Sequence, residues 1–283
     1  MRPKRFIDIP VLIFLLTYIL QPIIASSNPL FAGNIETQLL EIQKGDNTDL
    51  LETLLMVSKH WKPSLDLAPL KEEIQKLIHS ARQKLSGMNR PEDIIRTIRT
   101  VIHEEGGYRY TDQVDEKGVP INPEELFLHG LLNTHKGYCM NLSLLYLILG
   151  QKLGLPFYGV ALPNHFFVRY ELEAVKVNVE TTEQGVSYPD SFYLQRFGTL
   201  TGGKNPYFMK NLDTRQTLGA YFSNVGMVYY QNQNPERAVF YLGLSTAINP
   251  QSIDAQNNLA NIYSELKKPQ KAIKHYNLAL KAD

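Results

Sequence analysis

Cys139, His165 and Glu180 are the residues whose types and spacing point to chemistry. A cysteine nucleophile needs a base to exchange its proton and a third group to orient that base. Cys139 stands at the start of a strongly apolar run, 139–153, that reads as a helix. Unpaired N–H groups and the helix dipole at such a position favour a thiolate, and the same N–H groups can stabilise an oxyanion. His165 follows a Pro163-Asn164 turn and opens a strand-like run. Glu180 lies on the next run, where a carboxylate can accept from an imidazole, and Asn178 on the same strand face is a second candidate for that role. The bland alternatives are a core thiol, a turn histidine and a solvent-facing glutamate. Cys139 is also the one cysteine of the 283 residues, so no internal disulfide can use it. His129 and His135 match no standard zinc spacing and lack further ligands, and there is no Gly-rich phosphate loop; neither a metal nor a cofactor is expected.

The elements around these residues predict an α+β fold. The 139–153 helix is apolar all round, with Gly154 suited to a left-handed cap and Pro156 preventing continuation. Runs 157–162, 165–171 and 175–181 are rich in Val, Phe and Tyr and read as antiparallel strands. Upstream, residues 34–59 have helical spacing, with Leu39, Leu40, Ile42, Leu50, Leu51, Leu54 and Leu55 as the buried stripe and Gly45-Asp46-Asn47 as the break. Helices follow at about 68–86 and from Pro91 to Gly106-Gly107, then a loop over 108–122 and a short helix from Pro123 to about Leu132.

From residue 214 the pattern repeats. Asn224, Gly226, Tyr229, Pro235, Ala238 and Ser245 recur 34 residues later as Asn258, Ala260, Tyr263, Pro269, Ala272 and Ala279. That period, with small residues where paired helices cross, marks two tetratricopeptide repeats. Two repeats rarely stand alone, so they are expected to lean on the preceding domain or on a partner.

Arg2, Lys4 and Arg5, the apolar stretch 11–24 and small Ala25, Ser26 and Ser27 predict a signal peptide and hence an exported, periplasmic or extracellular protein. The alternative is an uncleaved segment anchoring the chain to a membrane. With 29 basic against 28 acidic residues there is no footprint for nucleic acid.

The segments 138–146, 153–156 and 159–170 together resemble the transglutaminase-like superfamily, within it the SirB-type group that couples this domain to tetratricopeptide repeats. The resemblance covers roughly 90–200 and implies a papain-like core with a Cys-His-Asp triad. Cys139 and His165 match its first two members, and Glu180 falls where the family usually has Asp. Asn164 stands where a small residue is common. The expected organisation is a signal peptide over 1–27, a helical region over 28–88, a transglutaminase-like domain over 89–210 and two repeats over 211–283. The expected function is exported, cysteine-dependent acyl transfer or amide hydrolysis, with the repeats binding a protein or peptide. The alternative is an inactive transglutaminase-like scaffold that serves as an interaction module.

Overall fold

The structure is a computed structural model that describes residues 29–45, 48–111, 113, 121–197, 205 and 207–282. The expected signal peptide and its alternative anchor lie outside the described residues. No helix among the described residues is long and apolar enough to cross a membrane.

Four helices lead: α1 (Pro29–Glu41), α2 (Leu50–Trp61), α3 (Ala68–Leu85) and α4 (Pro91–Arg99), the last running into a π-helical turn, Thr100–Glu105. Asp49 caps α2 by accepting from Glu52 N–H. The apolar stripes pack inward as their spacing requires, with one correction: Leu40, expected in the buried stripe, is exposed beside fully buried Leu39. Neighbours on a helix point about 100° apart, so only one of the pair can face the core.

The 108–122 loop is also corrected. Its start forms β1 (Arg109–Tyr110), which pairs in parallel with β2 (Lys136–Gly137). The short helix expected from Pro123 divides at Phe127 into a 3₁₀ turn, Pro123–Leu126, and α5 (Leu128–Thr134). His135 ends α5 in a left-handed conformation, its ring stacked on buried Tyr108 and its Nδ1 bonded to Gly106 O at 2.6 Å.

The central helix α6 (Cys139–Leu153) packs against β3 (Phe157–Leu162) and β4 (His165–Leu172), followed by β5 (Val175–Val179). Next come α7 (Asp190–Phe197) and the short β6 (Asn211–Leu212). The sheet is antiparallel throughout in the order β5-β4-β3-β6.

The C-terminal hairpins are α8 (Thr214–Gln231) with α9 (Pro235–Ile248) and α10 (Ile253–Glu265) with α11 (Pro269–Ala282). The sequence repeat is also a conformational one. Gln233 and Lys267, 34 apart, are both left-handed, and the Asn234 N–H to Tyr229 O bond recurs from Lys268 to Tyr263, each at 2.9 Å. Gly226 sits where α8 meets α9: a Cβ there would lie 2.8 Å from Leu242 Cγ. The repeats lean on the rest of the chain. His60 and Trp61 of α2 pack on Tyr229 and Tyr241, and His60 Nδ1 lies 2.8 Å from Tyr241 Oη. One continuous core runs from Leu39 through α6 to Ile262.

Candidate active site

Cys139 is the first residue of α6, where backbone N–H groups have no partner within the helix. That end is built locally. Asn141 accepts from Tyr138 N–H at 2.7 Å and donates to Glu125 O. A Cβ on Gly137 would lie 2.5 Å from Asn141 Oδ1, which is why glycine precedes the pair. Unlike the surrounding core, Cys139 is only half-buried, and it lines two clefts.

His165 is delivered by the β3–β4 turn. Leu162 and His165 are paired residues, and Asn164 between them is left-handed (φ 55°), a conformation asparagine tolerates well. The imidazole Nε2 lies 2.8 Å from Glu180 Oε2. With Glu180 ionised, Nε2 carries the proton and donates, which leaves Nδ1 for the thiol. Burial pulls the imidazole pKa down, but hydrogen bonding and charge from Cys139 and Glu180 outweigh it and raise it to about 9. Glu180 is almost wholly buried, which on its own would raise its carboxyl pKa. The bond and charge of His165, with bonds from Thr182, hold it below its ordinary value instead. Thr182 N–H donates to the second carboxylate oxygen at 3.1 Å. A further tie joins the two halves: Thr181 Oγ1 donates to Cys139 O at 3.4 Å and meets Ser143 Oγ at 3.0 Å.

Asn178 is not brought to His165. Its Oδ1 accepts from Arg169 Nε at 2.8 Å, and its Nδ2 donates to Asp190 Oδ1 at 2.7 Å and to Tyr188 O at 3.1 Å. Arg169 is 2 % exposed and also donates to Asp190, Met209 O and Asn211. This buried guanidinium ties β4 and β5 to the start of α7. His129, on α5, is fully buried, and among the described residues no group of three or more His, Cys, Asp or Glu could hold a metal.

Sequence reasoning missed the other wall. Phe197 of α7 stacks face to face on the His165 ring, centroids 4.2 Å apart and planes at 6°. Tyr193, one turn earlier, stacks on Phe167 at 3.9 Å. Burial, then the Glu180 charge, push the Tyr193 hydroxyl pKa above its ordinary range. The i, i+4 spacing of Tyr193 and Phe197 after Pro189-Asp190 was the available signal.

Cys139 and His165 lie where two clefts meet. One, about 370 Å³, runs toward the repeats and is lined by Ser223 and Asn224 of α8 and by Asp254 and Asn258 of α10. The other, about 250 Å³, runs past Glu180 and Thr182 to Phe197 and Arg196 of α7.

Residues 68–219, more than half of the chain, match the transglutaminase-like superfamily, and residues 253–283 match the tetratricopeptide repeat. The chain belongs to the transglutaminase-like superfamily. No curated protein matches it. Among solved structures it is similar to menin, whose crystal structure reveals the binding site for Mixed Lineage Leukemia (MLL) protein; identity is 12%, TM-score 0.43, and the match covers 88% of this chain and 69% of that one.

Proposed function

We propose that this transglutaminase-like protein is a cysteine-dependent acyltransferase or amide hydrolase. The observation that carries the reading is the His165 imidazole, raised to about 9 between the Cys139 thiol and the buried Glu180 carboxylate, with Cys139 half-buried where two clefts meet. An imidazolium beside a sulfur at a helix start is the arrangement a thiolate nucleophile requires.

In this reading the Cys139 sulfur attacks an amide carbonyl, and the oxyanion is received by the N–H groups opening α6. His165 donates its proton to the departing amine as the C–N bond breaks, leaving a thioester on Cys139. Water or a second amine then attacks that thioester. His165 takes the proton of the incoming nucleophile, and the C–S bond breaks to restore the thiolate. Glu180 holds the ring in one tautomer and offsets its charge throughout. The repeats supply a surface for a protein or peptide.

The test uses the single thiol. Iodoacetamide should label Cys139 rapidly at neutral pH, and His165→Ala should slow it by roughly tenfold or more, because a thiol without its imidazolium partner is only a few per cent ionised there. Cys139→Ala should keep the fold by circular dichroism and lose turnover of an amide substrate. Slow labelling that ignores His165 would leave the interaction-scaffold reading in its place.

A further inference from the structure

The larger of the two clefts at Cys139 has one wall from the catalytic domain and one from the repeats. On the catalytic side stand Cys139, Asn164 and His165; on the repeat side stand Ser223, Asn224, Asp254 and Asn258. Asn205 and residues 207–212 fix the two walls to one another. Met209 N–H donates to Ala161 O at 3.1 Å, while Asn205 Nδ2 donates to Ala282 O at 2.8 Å and Asn249 Nδ2 to Tyr207 Oη at 3.3 Å. The first hairpin and the opening of the second are thus built into the cavity that holds the sulfur. They are not a separate docking arm.

The polarity of that wall is informative. Asp254 has an exposed side chain in the cleft, where the surrounding protein partly desolvates its carboxyl and raises its pKa, and it has no ion-pair partner among the described residues. Asn224 and Asn258 occupy equivalent positions one repeat apart, and neither carboxamide is engaged within the described structure. Besides Asp254, the charge-bearing group lining this cleft is the Cys139–His165 pair itself. The opposite cleft differs, since its carboxylates are occupied: Glu180 by His165 and Glu183 by Tyr188, 2.5 Å away.

We infer that the repeat-side cleft is a substrate subsite for a peptide bearing a positively charged side chain, which pairs with Asp254 while the carboxamides of Asn224 and Asn258 take hydrogen bonds beside it. The inference rests on Cys139 being the nucleophile and adds the class of substrate that reaches it.

The experiment uses the intact protein and N-alkyl iodoacetamides of graded spacer length, each made with a terminal ammonium and with a terminal methyl group of matched size. The quantity read is the ratio of Cys139 alkylation rates, cationic over neutral, at each length. At one or more lengths the ratio should exceed that of Asp254→Asn by roughly two- to fivefold, the range of a partly exposed ion pair. Glu183→Gln, in the other cleft, should keep the wild-type ratio, and added salt should reduce it. A ratio identical in wild type and Asp254→Asn at every length overturns the inference, as does an equal loss in Glu183→Gln, which would mean a diffuse field. If neutral reagents label Cys139 slowly whether or not His165 is present, the proposed function falls and this subsite with it. Fast, His165-dependent labelling with a flat ratio removes the subsite alone.

Discussion

Replacing Glu180 by Gln isolates what the carboxylate contributes, because glutamine keeps the length of the arm and a hydrogen-bonding oxygen but removes the charge. The His165 and Glu180 side chains are 8% and 3% exposed, so solvent screens the pair little. A buried hydrogen bond to a charged group is worth about 1.5–3 kcal/mol. At 1.36 kcal/mol per pH unit, the variant should bring the His165 titration down from about 9 by about one to two pH units. The stability consequence has a defined window. A group raised from 6.5 to about 9 on folding stabilises fully below 6.5 and loses that contribution as pH rises through about 9. Glu180, held below its ordinary 4.5, contributes above that value and loses its share on acidification. The gap in unfolding free energy between wild type and Glu180→Gln should therefore be widest between 4.5 and 6.5 and close as pH passes about 9. NMR of histidine-labelled protein, assigned with His165→Ala, reads the titration, and urea unfolding at a series of pH values reads the gap. An imidazole midpoint unchanged in the variant, or a gap that stays constant to pH 10, would refute the coupling.

Two further perturbations test how the site is held. Phe197→Ala removes a ring stacked on His165, a contact worth about 0.5–1.5 kcal/mol; iodoacetamide labelling of Cys139 should slow and the melting temperature fall, and unchanged labelling would mean that α7 does not fix the imidazole. Arg169→Lys keeps the charge but cannot reach Asn178, Asp190, Met209 O and Asn211 together, so the urea midpoint should drop by the equivalent of about 1.5–3 kcal/mol, the scale of a lost hydrogen bond from a charged group; a wild-type midpoint would show the hub to be dispensable.

Much of this architecture was legible because its signals are local. The all-round apolar helix 139–153, its glycine cap, the β3–β4 turn and the 34-residue period each depend on residues close in sequence, and each reappears with little change. Leu40 was misread because hydrophobicity alone does not say which of two adjacent leucines faces inward. The 108–122 stretch hid β1 because its partner, β2, is itself two residues long and lies more than 20 positions away. The far walls of the two clefts were illegible for the same reason. Phe197 meets His165 with Arg169 tying Asp190, at the start of α7, to Asn178, and Asp254 lines its cleft with residues 207–212 docked between β3 and the repeats.

The choice between Asn178 and Glu180 turns on register, which no reading of spacing could supply. Both lie on one face of the β5 path, two residues apart. Arg169 pairs with Asn178 and Val168 with Val179, where the ladder ends, so Glu180 follows toward the His165 end of β4. Its side chain spans the remaining distance to the imidazole. Asn178 stands two positions further from His165, directly across from Arg169, and its amide is consumed there. The backbone parts from β4 after Val179 into the Glu180–Val186 bridge, and Thr182 holds the other carboxylate oxygen. From there the glutamate arm makes its hydrogen bond to His165 Nε2 at 2.8 Å.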